Sequence, residues 1–130
     1  MGRLTVKTDG SAKPNPGQMR IGVVILDGKR ILKRFGKNVG YGTNNMAEYM
    51  AAIEGLKSAI ELGANEVNLL VDSELLYKQL TGHYSVKSKN IKPLFREIKR
   101  LLKRFDFFTV NWVPREKNKD ADYISKQRPK

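Results

Sequence analysis

The stretch from Leu4 to Gly17 changes its conformational rules halfway, and that change constrains the fold more than any other feature of the chain. Leu4, Val6 and Thr8 alternate with Thr5 and Lys7, and β-branched residues are frequent, the pattern of a half-buried β-strand. Gly10, Pro14, Pro16 and Gly17 then bracket a small polar run, which predicts a turn there, neither strand nor helix. Asp9 stands at the hinge between the two regimes. A carboxylate at the C-terminal end of a strand, followed by Gly-Ser, points into whatever crevice the sheet opens there. An isolated Asp-Gly-Ser is ordinarily only the start of a turn. This one has company downstream in Glu48, Asp72 and Asp122, each at an element boundary or facing inward.

Residues 21–26 are almost continuously apolar, which implies a strand buried on both faces. Asp27-Gly28 is a hairpin signal, and a more polar strand follows over 30–39, nearer an edge. These three strands make an antiparallel meander. Residues 40–45 form a loop in which Thr43 or Asn44 caps a helix running to Gly63. Met46, Tyr49, Ile53, Leu56 and Ile60 give that helix its core stripe. Beside it runs a row of Glu48, Ala52, Gly55 and Ala59, whose small side chains let a helix back close to a sheet and hold Glu48 against it. Residues 66–71 form a strand ending in Asp72-Ser73, and the helix over 74–80 stops at Gly82. Strand–helix–strand connections of this kind require parallel pairing. After a polar stretch over 84–90, Ile91, Leu94, Phe95, Ile98, Leu101, Leu102 and Phe105 define an amphipathic helix. Its other face carries Lys92, Arg96, Lys99, Arg100, Lys103 and Arg104. A last strand over 107–113 leads to a charged loop, and Asn118 caps a short helix bearing Asp122.

A chain of 130 residues is sized for a single domain, here taken as 1–130. There is no cysteine, which removes disulfides and zinc–thiolate sites and fits a reducing compartment. No apolar run reaches membrane-spanning length, and the first strand leaves no room for a signal-peptide core. The expectation is a cytoplasmic monomer, with no membrane association and no implied protein partner. The formal charge of +12 is uneven. Residues 1–77 hold 10 Lys+Arg against 8 Asp+Glu, net +2, whereas residues 78–130 hold 15 against 5, net +10. A basic half on a compact domain points to a polyanionic partner, most often nucleic acid.

If the first strand lies beside the fourth, Asp9 and Asp72 end adjacent parallel strands, where open α/β sheets put their sites. Glu48 then approaches from the first helix and Asp122 from the last. Packed carboxylates cannot all stay ionised without cations. Mg²⁺, with Mn²⁺ as the alternative, suits an all-oxygen shell, and with a basic surface makes a phosphodiester the expected substrate.

At this point the chain resembles a type 1 ribonuclease H. The resemblance rests on Thr8-Asp9-Gly10-Ser11 with Asn15-Pro16-Gly17, on Thr43 to Tyr49 (TNNMAEY), on Val71-Asp72-Ser73 and on Asn118 to Asp122 (NKDAD). It implies an α/β, ribonuclease H-like fold: a mixed five-stranded sheet in the order 3-2-1-4-5 with helices on both faces. It also implies hydrolysis of the RNA strand of RNA–DNA hybrids with two Mg²⁺ ions per site, leaving 5′-phosphate and 3′-hydroxyl ends. Double-stranded RNA is a second substrate to test. The family's metal-binding carboxylates fall on Asp9, Glu48, Asp72 and Asp122, and its hybrid contacts on Gly10, Ser11, Asn15, Thr43, Asn44, Asn45, Ser73 and Asn118. Two departures stand out. The basic, Trp-containing protrusion that many members carry after the second helix has no counterpart in the short stretch 84–90. The loop before the last helix holds Arg115, assigned here a catalytic role, where many members have a histidine; the chain's sole histidine is His83. The rivals are a non-catalytic hybrid-binding module, another nuclease or strand-transfer enzyme of the wider superfamily and, last, a generic basic scaffold protein. Those other nucleases and strand-transfer enzymes place the third acid on a late helix, whereas Glu48 lies between Asp9 and Asp72.

Overall fold

The computed structural model describes residues 2–114. Its elements are β1 (Arg3–Lys13), β2 (Gly17–Asp27), β3 (Arg30–Gly42), α1 (Asn44–Glu61), β4 (Glu66–Val71), α2 (Glu74–Leu80), α3 (Lys92–Leu102) and β5 (Phe107–Trp112). The strands form one sheet in the order β3-β2-β1-β4-β5. β1, β2 and β3 are antiparallel neighbours, whereas β4 runs parallel to β1 and β5 parallel to β4. This is the mixed sheet and the strand order expected from the sequence. The helix expected after Asn118 lies outside the described residues.

One expectation fails. The chain does not turn at Gly10: β1 continues to Lys13 and stays in register with β2 as far as the Lys13–Gln18 pair. Only residues 14–16 turn, β2 begins at Gly17, and β3 extends to Gly42. The physical reason lies in what packs on the strand. A Cβ built on Gly10 would lie 2.3 Å from the Ala47 carbonyl oxygen in the first turns of α1. Ala12 is buried in a small cluster with Met19 and Ala47. The small residues of this stretch make room for a helix; they do not bend the strand.

The parallel ladder between β1 and β4 ends at the Thr8–Val71 pair, so Asp9 and Asp72 stand level just beyond it. Leu4 and Val6 of β1, Val23 and Ile25 of β2, and Val67, Leu69 and Val71 of β4 share one core with the inner residues of α1 and α3. α1 packs on β1 and β2 and also against α3. This double coverage leaves Tyr49, Ala52, Leu56 and Ala59 with no exposed surface. A second close approach to the sheet is at Gly55, where an added Cβ would lie 2.6 Å from Val6 Cγ1 and 3.1 Å from Thr8 Cγ2. α3 turns Ile98, Leu101 and Leu102 inward, and beyond its end the Asp106 amide donates to the Asn65 carbonyl at 2.8 Å. Among the described residues no helix is long and apolar enough to cross a membrane.

The Gly55 contact generates a test. Gly55→Ala adds a methyl where Val6 stands, and overpacking of about 1–3 kcal/mol outweighs the gain in helix propensity, about 1 kcal/mol. Urea unfolding should show Gly55→Ala destabilised. In a cycle with Val6→Ala the two losses should be less than additive, because the smaller partner makes room for the added methyl.

Candidate active site

Three elements bring three acids to one place. Asp9 comes from β1 at the end of its parallel ladder, and Asp72 follows the last residue of β4. Glu48 comes from the second turn of α1, whose start is fixed by Thr43: its side chain accepts from the Met46 amide at 3.1 Å. One carboxylate oxygen from each of Asp9, Glu48 and Asp72 lies within 4.8 Å of the other two. Asp9 and Glu48 are buried and Asp72 is half-buried. The Gly10 amide donates to Glu48 Oε1 at 2.5 Å, so the closeness of β1 and α1 also sets the carboxylate's position.

Such a cluster is electrostatically expensive. The Glu48 carboxyl is held well above the usual range, first by burial and then by the negative charge of Asp72. A hydrogen bond with Asp72 and the charge of Asp9 act in the same direction, against the lowering effect of the Gly10 amide. The donor set is carboxylate oxygen alone, without sulfur or imidazole. That set fits a hard divalent cation such as Mg²⁺, whose charge would offset the repulsion.

The other residues singled out in the sequence divide into groups. Gly10, Ser11, Asn15, Asn44, Asn45 and Ser73 line one cavity of about 460 Å³ with Glu48. Two of them also hold the cavity together: Asn44 Oδ1 accepts from the Ala12 amide at 2.7 Å, and Asn15 Oδ1 accepts from the Asn44 amide at 3.0 Å. Thr43 and Ser73 are the N-caps of α1 and α2. His83 sits in the turn after α2, with Nδ1 2.8 Å from Thr81 Oγ1, and is not among the cavity's lining residues. Asp122, Arg115 and Asn118 lie outside the described residues.

Two features went unread in the sequence. Trp112, the sole tryptophan, donates from Nε1 to the Asp72 carbonyl at 3.3 Å and braces the end of β4 from β5. Tyr49, next to Glu48, donates to Gln79 Oε1 at 2.6 Å and ties α1 to α2. Tyrosine in a helical apolar stripe signals burial, but nothing local to it names the partner of its hydroxyl.

The family model described as "Reverse transcriptase-like" matches residues 7–128. A protein of Mycobacterium tuberculosis named as bifunctional is 34% identical over 125 residues, 95% of this chain. Ribonuclease HI of Halobacterium salinarum is 34% identical over 127 residues, 97% of this chain. The chain spans 34% of the length of the mycobacterial relative and 64% of the halobacterial one. The crystal structure of RNase H1 from H. salinarum superposes with a TM-score of 0.93 at 34% identity, covering 95% of each chain. That of LC11-RNase H1 in complex with an RNA/DNA hybrid superposes with a TM-score of 0.87 at 36% identity, covering 93% of this chain and 92% of the other.

The raised pKa of Glu48 has a consequence for stability. Without metal, the folded protein retains a proton on Glu48 at pH values where the unfolded chain has already lost it. Stability is therefore full below the unfolded pKa and declines as pH rises toward the folded value, by about 1.4 kcal/mol for each tenfold difference in proton affinity between the two states. Thermal melts in EDTA between pH 4 and 8, values spanning about the ordinary carboxyl range and neutrality, should show this decline. Glu48→Gln should flatten it and raise Tm at neutral pH, and Mg²⁺ should restore much of the wild-type loss.

Proposed function

We propose that this chain, which belongs to the reverse transcriptase-like family and within it to the type 1 ribonucleases H, hydrolyses the RNA strand of RNA–DNA hybrids. The observation that carries this reading is the convergence of Asp9, Glu48 and Asp72 to within 4.8 Å, beside a cavity lined by polar residues of β1, α1 and α2's N-cap. The hybrid bound by LC11-RNase H1 supports the substrate class, and the net charge of +12 suits a polyanion.

In the mechanism proposed, Asp9, Glu48, Asp72 and Asp122 would hold two Mg²⁺ ions. When bound, such ions would supply Lewis acidity to the phosphoryl group and to the attacking and departing oxygens. The protein's own part is positioning. The Gly10 amide keeps Glu48 facing Asp9 and Asp72, and Trp112 holds the Asp72 backbone. Ser11, Asn15, Asn44, Asn45 and Ser73 provide the neutral hydrogen-bonding surface along which the hybrid lies; Thr43 and Asn118 extend that role. A shallow minor groove exposes 2′-hydroxyls to such groups, which lets the site select RNA. Arg115 neutralises phosphate charge and aids product release; a guanidinium has no pKa near neutrality, so it is not a base. The products carry 5′-phosphate and 3′-hydroxyl ends. The domain acts as a cytoplasmic monomer spanning 1–130, a setting that the absence of cysteine suits.

Labelled RNA–DNA hybrid, RNA duplex and DNA duplex incubated with and without Mg²⁺ test this reading. Cleavage is expected for the hybrid, in its RNA strand, only with the metal; Mn²⁺ in place of Mg²⁺ and end-group analysis complete the picture. Asp9→Asn should lower turnover by more than about 100-fold, since even changes to residues that merely orient metal ligands cost about 10–100-fold. Its hybrid affinity should be equal or higher, because a negative charge has left a phosphate site. Wild-type turnover in that variant would refute the assignment. Arg115→Ala should also slow turnover while folding is kept, whereas His83→Ala should change little.

A further inference from the structure

β3 closes the sheet on the side away from β5, and among the described residues its ladder is with β2 alone. At thirteen residues it is the longest of the described strands, so a long row of backbone amides and carbonyls faces outward. Its side chains include four cations, Arg30, Lys33, Arg34 and Lys37, and no acid. Lys33, Phe35 and Lys37 alternate onto one face of the strand, opposite Ile25, Val23 and Ile21 of β2. Together with Glu54, Lys57 and Glu61 of α1 they line a cavity of about 290 Å³.

This groove runs along the second half of α1, away from the carboxylates. Glu54 and Glu61 stand six and thirteen residues beyond Glu48, about 9 and about 20 Å along the helix axis. Phe35 is half-buried against the main core, and Lys33 Nζ lies 5.3 Å from its ring centroid. Lys37 forms an ion pair with Glu54. Lys33 and Lys57 are exposed on the groove's two walls, one on the strand and one on the helix. The groove shares no lining residue with the cavity beside Glu48, so its occupancy is separable from hydrolysis.

We propose that the outer edge of β3 takes up an extended acidic segment of a partner protein as a sixth strand, its carboxylates against Lys33 and Lys57 and a small apolar side chain over Phe35. The occupant follows from the chemistry of the edge. A strand edge offers donors and acceptors at the spacing of another strand, which a nucleic acid backbone does not reproduce. Glu54 and Glu61 would repel a row of phosphates, whereas a peptide places its carboxylates at the lysines alone. A second copy of the chain would set four cations against four. Lysines on an edge also keep strands from pairing at random. That role accounts for Lys33 and Lys37 on β3, but not for Lys57, which stands on α1 across the groove.

The test uses the full chain and labelled synthetic peptides of about eight residues, within the usual range of strand lengths, followed by fluorescence anisotropy. One peptide alternates Asp with Val and a second alternates Lys with Val. A third repeats Asp-Pro-Pro, which keeps carboxylates but lacks the backbone donors of a strand. Only the Asp–Val peptide should bind, and the β3 amides that have no partner in β2 should gain hydrogen-exchange protection when it does. Lys33→Glu with Lys57→Glu should weaken that binding at least about tenfold, since two attractions become like-charge contacts. Lys99→Glu with Lys103→Glu on α3, an equal change in net charge, should leave it as it was. Equal losses from the two variants, equal binding of the Asp-Pro-Pro peptide, or no binding of the Asp–Val peptide would overturn the proposal. Single-stranded DNA binding, or self-association in the ultracentrifuge, that disappears in the Lys33→Glu, Lys57→Glu variant would assign the edge to those occupants and overturn it as well.

Discussion

Where β1 passes under the first turns of α1, two backbones meet without a side chain between them. Gly10 leaves no room for a Cβ against the Ala47 carbonyl, and its amide donates to Glu48 Oε1. That contact sets the depth at which α1 sits on the sheet. Gly55 repeats the close approach two turns later, against Val6 and Thr8. A helix held at two glycine contacts cannot rise or rotate without losing both, and the carboxylate carried on its second turn is held with it. The remaining devices at this end fasten neighbouring pieces to the same frame: Asn44 to the Ala12 amide, Asn15 to the Asn44 amide, and Trp112 to the Asp72 carbonyl.

The fold concentrates negative charge at one end of a strongly basic protein. Hydrophobic packing of α1 between sheet and α3 stabilises the scaffold, and the scaffold forces three acids together against their mutual repulsion. Burial first, and then the charges of Asp72 and Asp9, hold the Glu48 carboxyl well above its usual range. Such a site is not there for stability, since a proton or a cation is needed to relieve it. The segment 78–104 holds nine Lys or Arg against a single acid, so positive charge gathers on a stretch of chain other than those that carry the three carboxylates.

Close packing also explains the one misread element. Glycine, serine and alanine after Asp9, with two prolines close behind, satisfy every local criterion for a turn, and the chain does turn at 14–16. From Gly10 to Lys13, however, β2 supplies the ladder bonds and α1 supplies the reason for small side chains. Small residues carry two meanings, conformational freedom and close approach, and only the neighbour across the fold decides between them.

The sequence by itself determined the alternation of β1, the hairpin at Asp27-Gly28, the helical stripes of α1 and α3, and the strand–helix–strand order that requires β4 to run parallel to β1. It also determined that Asp72 stands at the end of a strand and that Glu48 heads the row of small residues on α1, because period, caps and turn chemistry are properties of neighbours along the chain. Tertiary structure alone decided the rest. The 4.8 Å spacing of Asp9, Glu48 and Asp72 depends on register and on the seating of α1. So do the bracing of Asp72 by Trp112 and the link from Tyr49 to Gln79. These are relations between residues distant in the chain. They exist only once the sheet has fixed which strand ends lie side by side and the core has fixed how closely each helix approaches them.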